Sequence, residues 1–226
     1  MNFTQIRTKN YLVKQLLLVI YVIFSITAHA AVTLRQVDDF QNNTLQNWSR
    51  GGVATQPTNV STGGPAGIGD HFMRIVSDGS GNNGKMLAFN NSQWSGDFTI
   101  LTSISVDLIN LGANEVTMRL SFRDSTGSGG GGFLTDDNIT LAPGSGWQTM
   151  IFDLSSLISV GTLVPASTFM TQVAQMRLIH APQPFSLLGE EVVGNLGVDN
   201  IAAVPELAAA FLGSLGLLGL LKRRRS

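Results

Sequence analysis

Cysteine is absent from the 226-residue chain, and only 13% of its residues are charged. The lack of thiols excludes disulfide bonds, thiol catalysis and anchoring through a lipidated cysteine. The chain also lacks the GxSxG sequence of serine hydrolases and the HExxH sequence of zinc peptidases. Its length leaves room for one folded domain with short appendages. No recognisable catalytic signature is present.

The N-terminal segment 1–30 has the layout of a secretory signal peptide. Three basic residues precede an apolar run over 16–26, and the small residues Ala28 and Ala30 follow it. Such a run is too short to cross a hydrocarbon core, which needs about 20 apolar residues. We therefore predict a signal helix that signal peptidase removes after Ala30.

The C-terminal end is a second apolar segment. Val204, Pro205 and Glu206 precede a Gly- and Leu-rich stretch over 208–221, and the chain closes on four basic residues and a serine. A helix over this stretch is a short transmembrane span, and its basic end stays in the cytoplasm under the positive-inside rule. The pattern predicts a C-terminal transmembrane helix.

This tail resembles the PEP-CTERM sorting domains of proteins exported by Gram-negative bacteria. The proline and glutamate of the motif, the Gly-rich helix and the Arg-rich end all match, whereas Leu207 replaces the usual second proline. The resemblance implies transient anchoring in the inner membrane and cleavage near the motif by an exosortase. It divides the chain into a signal peptide (1–30), an exported domain (31–203) and a sorting tail (204–226).

The exported segment 31–203 is acidic. It contains seven Lys and Arg residues and 14 Asp and Glu residues, which gives a net charge of about −7. Binding to phosphate groups requires clustered cations. The balance therefore opposes nucleic acid or an anionic membrane surface as a partner.

Alternation of apolar and polar residues is clearest over 104–108 and 116–122. In the second run Arg119 and Arg123 point away from the apolar side. We predict that the two runs pair as neighbouring strands joined through 110–114. Further strands, bounded by clusters of Gly, Asn, Ser and Pro, are predicted at 33–38, 71–77, 84–90, 147–154, 172–180 and 196–203.

The remaining segments predict turns rather than helices. Only residues 154–160 suggest a helical turn, and long loops are expected at 50–70 and 124–132. Eight or nine strands without a sustained 3.6-residue period indicate an all-β fold. We predict an antiparallel β-sandwich, jelly-roll-like, flanked by the signal helix and the transmembrane helix.

The order of short motifs is similar to jelly-roll carbohydrate-binding modules of the galactose-binding-like type. An opening Val-Asp-Asp-Phe at 37–40, Trp94 with its Ser-Gly-Asp-Phe continuation, Gly-Trp-Gln-Thr at 146–149 and Val-Asp-Asn-Ile at 198–201 carry the resemblance. In such modules a structural Ca²⁺ often lies between the first and last strands. The resemblance places Asp38, Asp39 and Asp199 at that site, with ordinary turn residues as the alternative.

A glycan-binding role predicts exposed aromatic rings that stack on sugar rings, with polar neighbours that bind the hydroxyl groups. The candidate rings are those of Trp48, Trp94 and Phe185, and the candidate polar partners are Arg119, Arg123 and His180. The alternative is that Trp48, Trp94 and Trp147 fill the core, an interpretation favoured most for Trp147.

Three functions follow as hypotheses. The first is an exported, non-catalytic module that binds extracellular polysaccharide at the cell surface or in a matrix. The second is a structural matrix or surface component without a small ligand. The third, which the missing motifs disfavour, is an enzyme that acts on polysaccharide through paired carboxylates.

Overall fold

The computed structural model describes residues 31–124 and 131–205. This part of the chain forms twelve strands and two one-turn helices. The strands are β1 Val37–Asp38, β2 Thr58–Val60, β3 Phe72–Asp78, β4 Leu87–Asn90, β5 Leu101–Asn110, β6 Val116–Arg123, β7 Gly132–Thr135, β8 Ile139–Leu141, β9 Gln148–Asp153, β10 Leu157–Val160, β11 Gln175–His180 and β12 Val193–Pro205. The helices are α1 Gly81–Gly84 and α2 Ala166–Phe169.

The strands form two antiparallel sheets. The first sheet has the order β2-β3-β12-β5-β9, with β1 beside β12. The second has the order β10-β7-β6-β11-β4, with β8 beside β6. The prediction of an all-β antiparallel sandwich is confirmed.

The core lies between the inner faces of the two sheets. Alternate residues of β5 and β6, including Ile104, Val106, Met118 and Leu120, are fully buried there. Burial of one large apolar side chain contributes about 1.5–3 kcal/mol. The buried positions agree with the alternation predicted for these two strands.

The predicted pairing of β5 with β6 is not observed. β5 pairs with β12 and β9 in the first sheet, whereas β6 pairs with β11, β7 and β8 in the second. The Asn110 side chain fixes the connection, because its amide nitrogen donates to the carbonyl oxygens of Asn114 and Leu141, each at 2.8 Å. The predicted hairpin is wrong, because two strands that face one core from opposite sides show the same alternation.

Two further local predictions are wrong. Residues 157–160 form strand β10, which pairs with β7, instead of a helical turn. The loop predicted over 50–70 contains β2, which pairs with β3. Both strands are short and lie at sheet edges, where alternation over three or four residues is too brief to recognise.

The last strand continues beyond the predicted domain boundary at 203. Val204 pairs with Ser103 and Pro205 with Leu101, so two residues of the predicted sorting motif belong to the sandwich. The predicted signal cleavage site, Glu206 and both predicted terminal helices lie outside the described residues. Within the described part of the chain, no helix has the length and apolar character needed to span a membrane.

Candidate ligand-binding face

Asp38 sits between the sheets and holds both of the first two tryptophans. The indole Nε1 groups of Trp48 and Trp94 each donate to Asp38 Oδ2 at 2.7 Å, and Gln93 Nε2 donates to Oδ1 at 3.0 Å. Burial raises the pKa of Asp38, and these hydrogen bonds oppose the shift. Both rings are at least 98% buried. The prediction that Trp48 and Trp94 stack on a ligand at the surface is wrong, because a buried carboxyl group draws their N–H groups into the core.

Trp147, the tryptophan favoured for the core, lies instead on the outer side of the first sheet and is only partly buried. Its Nε1 donates to the carbonyl oxygen of Gly63 at 3.0 Å. Its ring meets Phe72 edge to face, with 5.4 Å between centroids. The alternative that Trp48 and Trp94 fill the core is therefore confirmed, whereas the core position favoured for Trp147 is wrong.

His180 is also a buried structural residue. Its Nδ1 accepts the backbone N–H of Thr117 at 3.0 Å, and burial lowers its pKa while Glu190 opposes the shift. The prediction that His180 contacts ligand at the surface is wrong, because its ring is buried and its Nδ1 is already used by the Thr117 N–H group. Phe185 is 76% exposed on the segment between β11 and β12, as its predicted role requires.

The outward sides of the two sheets differ sharply. On the first sheet we call the outward residues the exposed face, which includes Ser105, Asp107, Thr149 and Ile151. On the second sheet we call them the covered face; it includes Phe89, which is partly buried, and the buried residues Arg119, Ser121, Arg123, Leu134, Arg177 and Ile179.

The segment 181–192 lies across part of the covered face. Leu187 belongs to a small apolar cluster with Leu134 and Ile179, and its carbonyl oxygen accepts the Ser121 hydroxyl at 3.2 Å. A Cβ atom added at Gly132 would lie 3.1 Å from Leu187 Cδ1. The segment thus fills the side of this face that β7 contributes.

Arg119 is tied to this covered region. Its Nε donates to Ala181 O at 3.1 Å, and its Nη1 donates to the carbonyl oxygens of Thr135 and Asp136. Burial lowers the pKa of Arg119, although Asp136 and Asp137 oppose this. The prediction that Arg119 and Arg123 lie on one side of β6 is confirmed. The hydrogen bonds of Arg119 to backbone carbonyl groups show that it has a structural role.

Arg177 and Phe89 form a different environment on the β11 and β4 side. They are register partners, and the guanidinium carbon lies 5.3 Å from the ring centroid. Arg177 Nε donates to Gln175 Oε1 at 2.6 Å. Burial, together with the nearby charge of Arg123, lowers the pKa of Arg177 to about 10.

The sequence analysis missed Phe89, Gln175 and Arg177. The alternation of the predicted strand over 172–180 put Gln175 and Arg177 on one side, which was the available signal. Phe89 joins them only because β11 pairs with β4, and that pairing is not visible in the local pattern.

The predicted Ca²⁺ ligands are divided between two sides of the first sheet. Asp38 faces the core, whereas a bulge in β12 opposite Asp107 turns both Asp199 and Asn200 outward. Asp199 Oδ2 is buried and has no hydrogen-bond partner among the described residues. Burial raises the pKa of Asp199 to about 7, and the charges of Asp70, Asp107 and Asp39 add to the shift.

These acids do not form a complete metal site from side chains alone. Within residues 31–124 and 131–205, no group of three His, Cys, Asp or Glu side chains is arranged to hold a metal ion. Asp38 is occupied by the indole groups, so it does not fit the predicted role. Asp199 does fit, because a cation would compensate its buried, unpartnered oxygen, and Asp39 adds a nearby negative charge.

A cavity of about 580 Å³ opens elsewhere, at one end of the sandwich. Its lining includes Phe98, Leu101, Leu157, Met170 and Asp153. None of the residues predicted from the sequence to bind ligand or metal lines it.

Comparison with known proteins identifies the fold. No protein-family model and no curated protein matches the sequence. A family 11 carbohydrate-binding module from Clostridium thermocellum, solved with a β-1,3-1,4-mixed-linked tetrasaccharide, matches with a TM-score of 0.51 and 19% identity, over 77% of this chain and 98% of the module. An exo-β-agarase matches with a TM-score of 0.53 and 12% identity, over 77% of this chain and 26% of the enzyme. The sandwich is jelly-roll-like and has the fold of carbohydrate-binding modules.

Proposed function

We propose that this chain is a non-catalytic module that binds polysaccharide on the β11 and β4 side of the covered face. The observation that carries the proposal is the pair of Arg177 and Phe89, an aromatic ring beside a guanidinium group on the outward side of a sheet. The fold shared with a module solved in complex with a tetrasaccharide supports it.

The chemistry of binding follows from these groups. An aromatic ring presents an apolar surface to the C–H groups of a sugar ring, and a guanidinium group donates hydrogen bonds to its oxygens. Across the sheet, the neighbours of Arg177 are Ser121 and Phe89. Neither the Arg177 guanidinium nor the Phe89 ring exchanges a proton near neutral pH, so the proposal assigns this face binding without catalysis. Phe185, exposed nearby in sequence, is a candidate second ring.

The proposal includes export. The signal peptide directs the chain across the inner membrane, and the tail that resembles PEP-CTERM domains makes it an exosortase substrate destined for the cell surface or matrix. Because Pro205 is part of β12, cleavage has to occur beyond it to preserve the last strand. Intact-mass measurement of the secreted product tests this: we expect a chain that begins at Ala31 and ends after Pro205.

Binding to polysaccharides tests the proposed site. We expect the purified full chain to be retarded in affinity electrophoresis by at least one polymer from a panel of β-glucan, xylan, agarose, polygalacturonate and alginate. Phe89→Ala should weaken this binding by roughly tenfold, because loss of a stacking ring costs about 1–2 kcal/mol. Trp147→Ala, which removes a larger ring from the exposed face, is the matched control and should bind within about twofold of wild type.

Two results would contradict the proposal. Absence of binding to every polymer would favour the structural matrix component. Loss of binding in Trp147→Ala but not in Phe89→Ala would move the site to the other sheet. Thermal unfolding of both variants establishes that each remains folded.

We also propose that Asp199 and Asp39 hold a structural Ca²⁺. The buried oxygen of Asp199 lacks a donor, and the surrounding carboxylates add negative charge that a cation would neutralise. The ion would supply a fixed link between the chain that follows β1 and the bulge of β12.

Calcium removal provides the test. We expect saturating Ca²⁺ to raise the Tm by roughly 5–10 °C over EDTA, from the mass action of a ligand at about 100 times its Kd. Asp199→Asn should abolish the response, whereas Glu115→Gln, an equal change of charge at an exposed position, should keep it. A Tm that EDTA leaves unchanged, or an unaltered response in Asp199→Asn, would refute the site.

A further inference from the structure

We infer that the polysaccharide bound at this face is acidic, and that Arg177 binds its carboxylate groups. The inference rests on the proposed function, because it assigns a ligand class to the same site.

The charge distribution is uneven. The described residues carry seven Lys and Arg side chains against 14 Asp and Glu side chains. Three of the seven cations, those of Arg119, Arg123 and Arg177, lie on the covered face of one sheet. An anionic ligand on this face would complement the charge of these cations.

Arg177 and Arg123 are close to each other. Arg177 lies opposite Ser121, so Arg123 is its diagonal neighbour on the adjacent strand. The described residues provide no hydrogen bond to either terminal nitrogen of Arg177 and no carboxylate that pairs with it. A carboxylate at this position would receive a bidentate fork of N–H donors and reduce the repulsion between the two cations.

Arg50 shows what a purely structural arginine looks like in this protein. Its terminal nitrogens donate to four backbone carbonyl oxygens, those of Thr55, Val76, Asn83 and Lys85. Arg119 likewise uses Nη1 for two carbonyl oxygens. Arg177 uses only Nε for a hydrogen bond within the described part of the protein, so its terminal nitrogens are available to a ligand.

The Phe89 ring sets the orientation of this donor group. It occupies one side of the guanidinium and Gln175 holds Nε, so the plane is fixed from two directions. A donor fork that is already oriented loses less conformational entropy when it binds a planar carboxylate. Uronic acid units, which carry a carboxylate on a sugar ring, satisfy both the guanidinium and the aromatic surface.

Polyuronates with and without their carboxyl groups test the inference. The full chain is titrated with polygalacturonate and alginate, and with the same polymers after reduction of their carboxyl groups to alcohols. We expect binding to at least one polyuronate, and at least tenfold weaker binding after reduction, because charge-assisted hydrogen bonds contribute about 1.5–3 kcal/mol.

Variants assign the effect to one residue. Arg177→Gln should weaken polyuronate binding by roughly tenfold or more, and Arg177→Lys, which keeps the charge but loses the fork, should be intermediate. Arg74→Gln makes the same charge change at an exposed position on the other sheet and should bind within about twofold of wild type. If Arg177→Gln is unfolded by circular dichroism, the Arg177→Lys comparison decides.

The outcomes separate the inference from the proposed function. Equal binding of native and reduced polymers, or binding of neutral β-glucan, xylan or agarose alone, would overturn the inference and leave glycan binding intact. No binding to any polymer would overturn both. Equal losses in the Arg177 and Arg74 variants would show a general effect of net charge and would also overturn the role of Arg177.

Discussion

Both outward faces of the sandwich belong to antiparallel sheets, but one is open to solvent and the other is covered. On the exposed face, Asp107, Thr149 and Ile151 remain at least partly accessible, and Ile151 is 59% exposed. On the covered face, Ser121 and Leu134 are fully buried beneath the segment that follows β11.

The difference supports the position that we propose for the ligand site. A sheet face that is left to solvent needs only polar side chains, whereas a covered face must satisfy every donor that it buries. Arg119 is satisfied by backbone carbonyl groups, and Arg177 is left with donors that no described residue uses. The incomplete part of the covered face is therefore the part that we propose binds ligand.

The largest expected effect is the difference in the free energy of unfolding between equivalent truncations on the two faces. Leu187→Ala should lower the free energy of unfolding by about 2–4 kcal/mol, because it leaves a cavity over Leu134 and Ile179. Ile151→Ala on the exposed face should change it by no more than about 0.5 kcal/mol. Urea unfolding of both variants measures the contrast, and equal costs would show that the segment 181–192 does not cover the second sheet.

A smaller effect concerns pH. Because burial lowers the pKa of His180 below its usual 6.5, the unfolded chain binds this proton more readily than the folded protein. His180 therefore contributes stability above pH 6.5, and that contribution is lost as the pH falls below it. In His180→Asn, an amide oxygen replaces Nδ1 as acceptor for Thr117 and does not titrate.

The measurement is the change in Tm between about pH 7.5 and about pH 5.5. We expect a smaller decrease, or a larger increase, on acidification in His180→Asn than in wild type. His71→Asn, at the partly buried histidine that contacts Asn59, controls for loss of a histidine as such. Identical profiles in wild type and His180→Asn would exclude His180 as a source of acid sensitivity.

The smallest expected effect comes from the orientation of the Arg177 guanidinium group. Gln175→Ala removes the acceptor of Arg177 Nε but leaves the Phe89 contact in place. We expect roughly twofold to fivefold weaker binding of the polysaccharide and little change in stability, because one partly exposed hydrogen bond contributes about 0.5–1 kcal/mol. Isothermal titration checks the affinity, and wild-type affinity would show that Phe89 alone orients the guanidinium.

The sequence predicted what depends on local pattern and failed where distant segments meet. Alternation in β5 and β6 identified the inward residues and put Arg119 and Arg123 on one side of their strand. The same pattern could not show that β5 and β6 belong to different sheets, because both face one core.

The errors in the candidate site have a common physical origin. Asp38 resembles a turn residue in sequence, yet in the fold it is a buried acceptor that two indole groups share, and this removes Trp48 and Trp94 from the surface. Phe89 and Arg177 meet only through the pairing of β4 with β11. Neither relation can be read from residues that are neighbours in the chain.

The central claim is that polysaccharide binds on the β11 and β4 side of the covered face. Backbone amide NMR of the full chain, titrated with a soluble oligosaccharide of the bound polymer, tests it most directly. We predict shifts in residues 87–90 and 175–180, and none in residues 148–153 of the exposed face. Shifts confined to residues 148–153 and Trp147, with 175–180 unchanged, would contradict it.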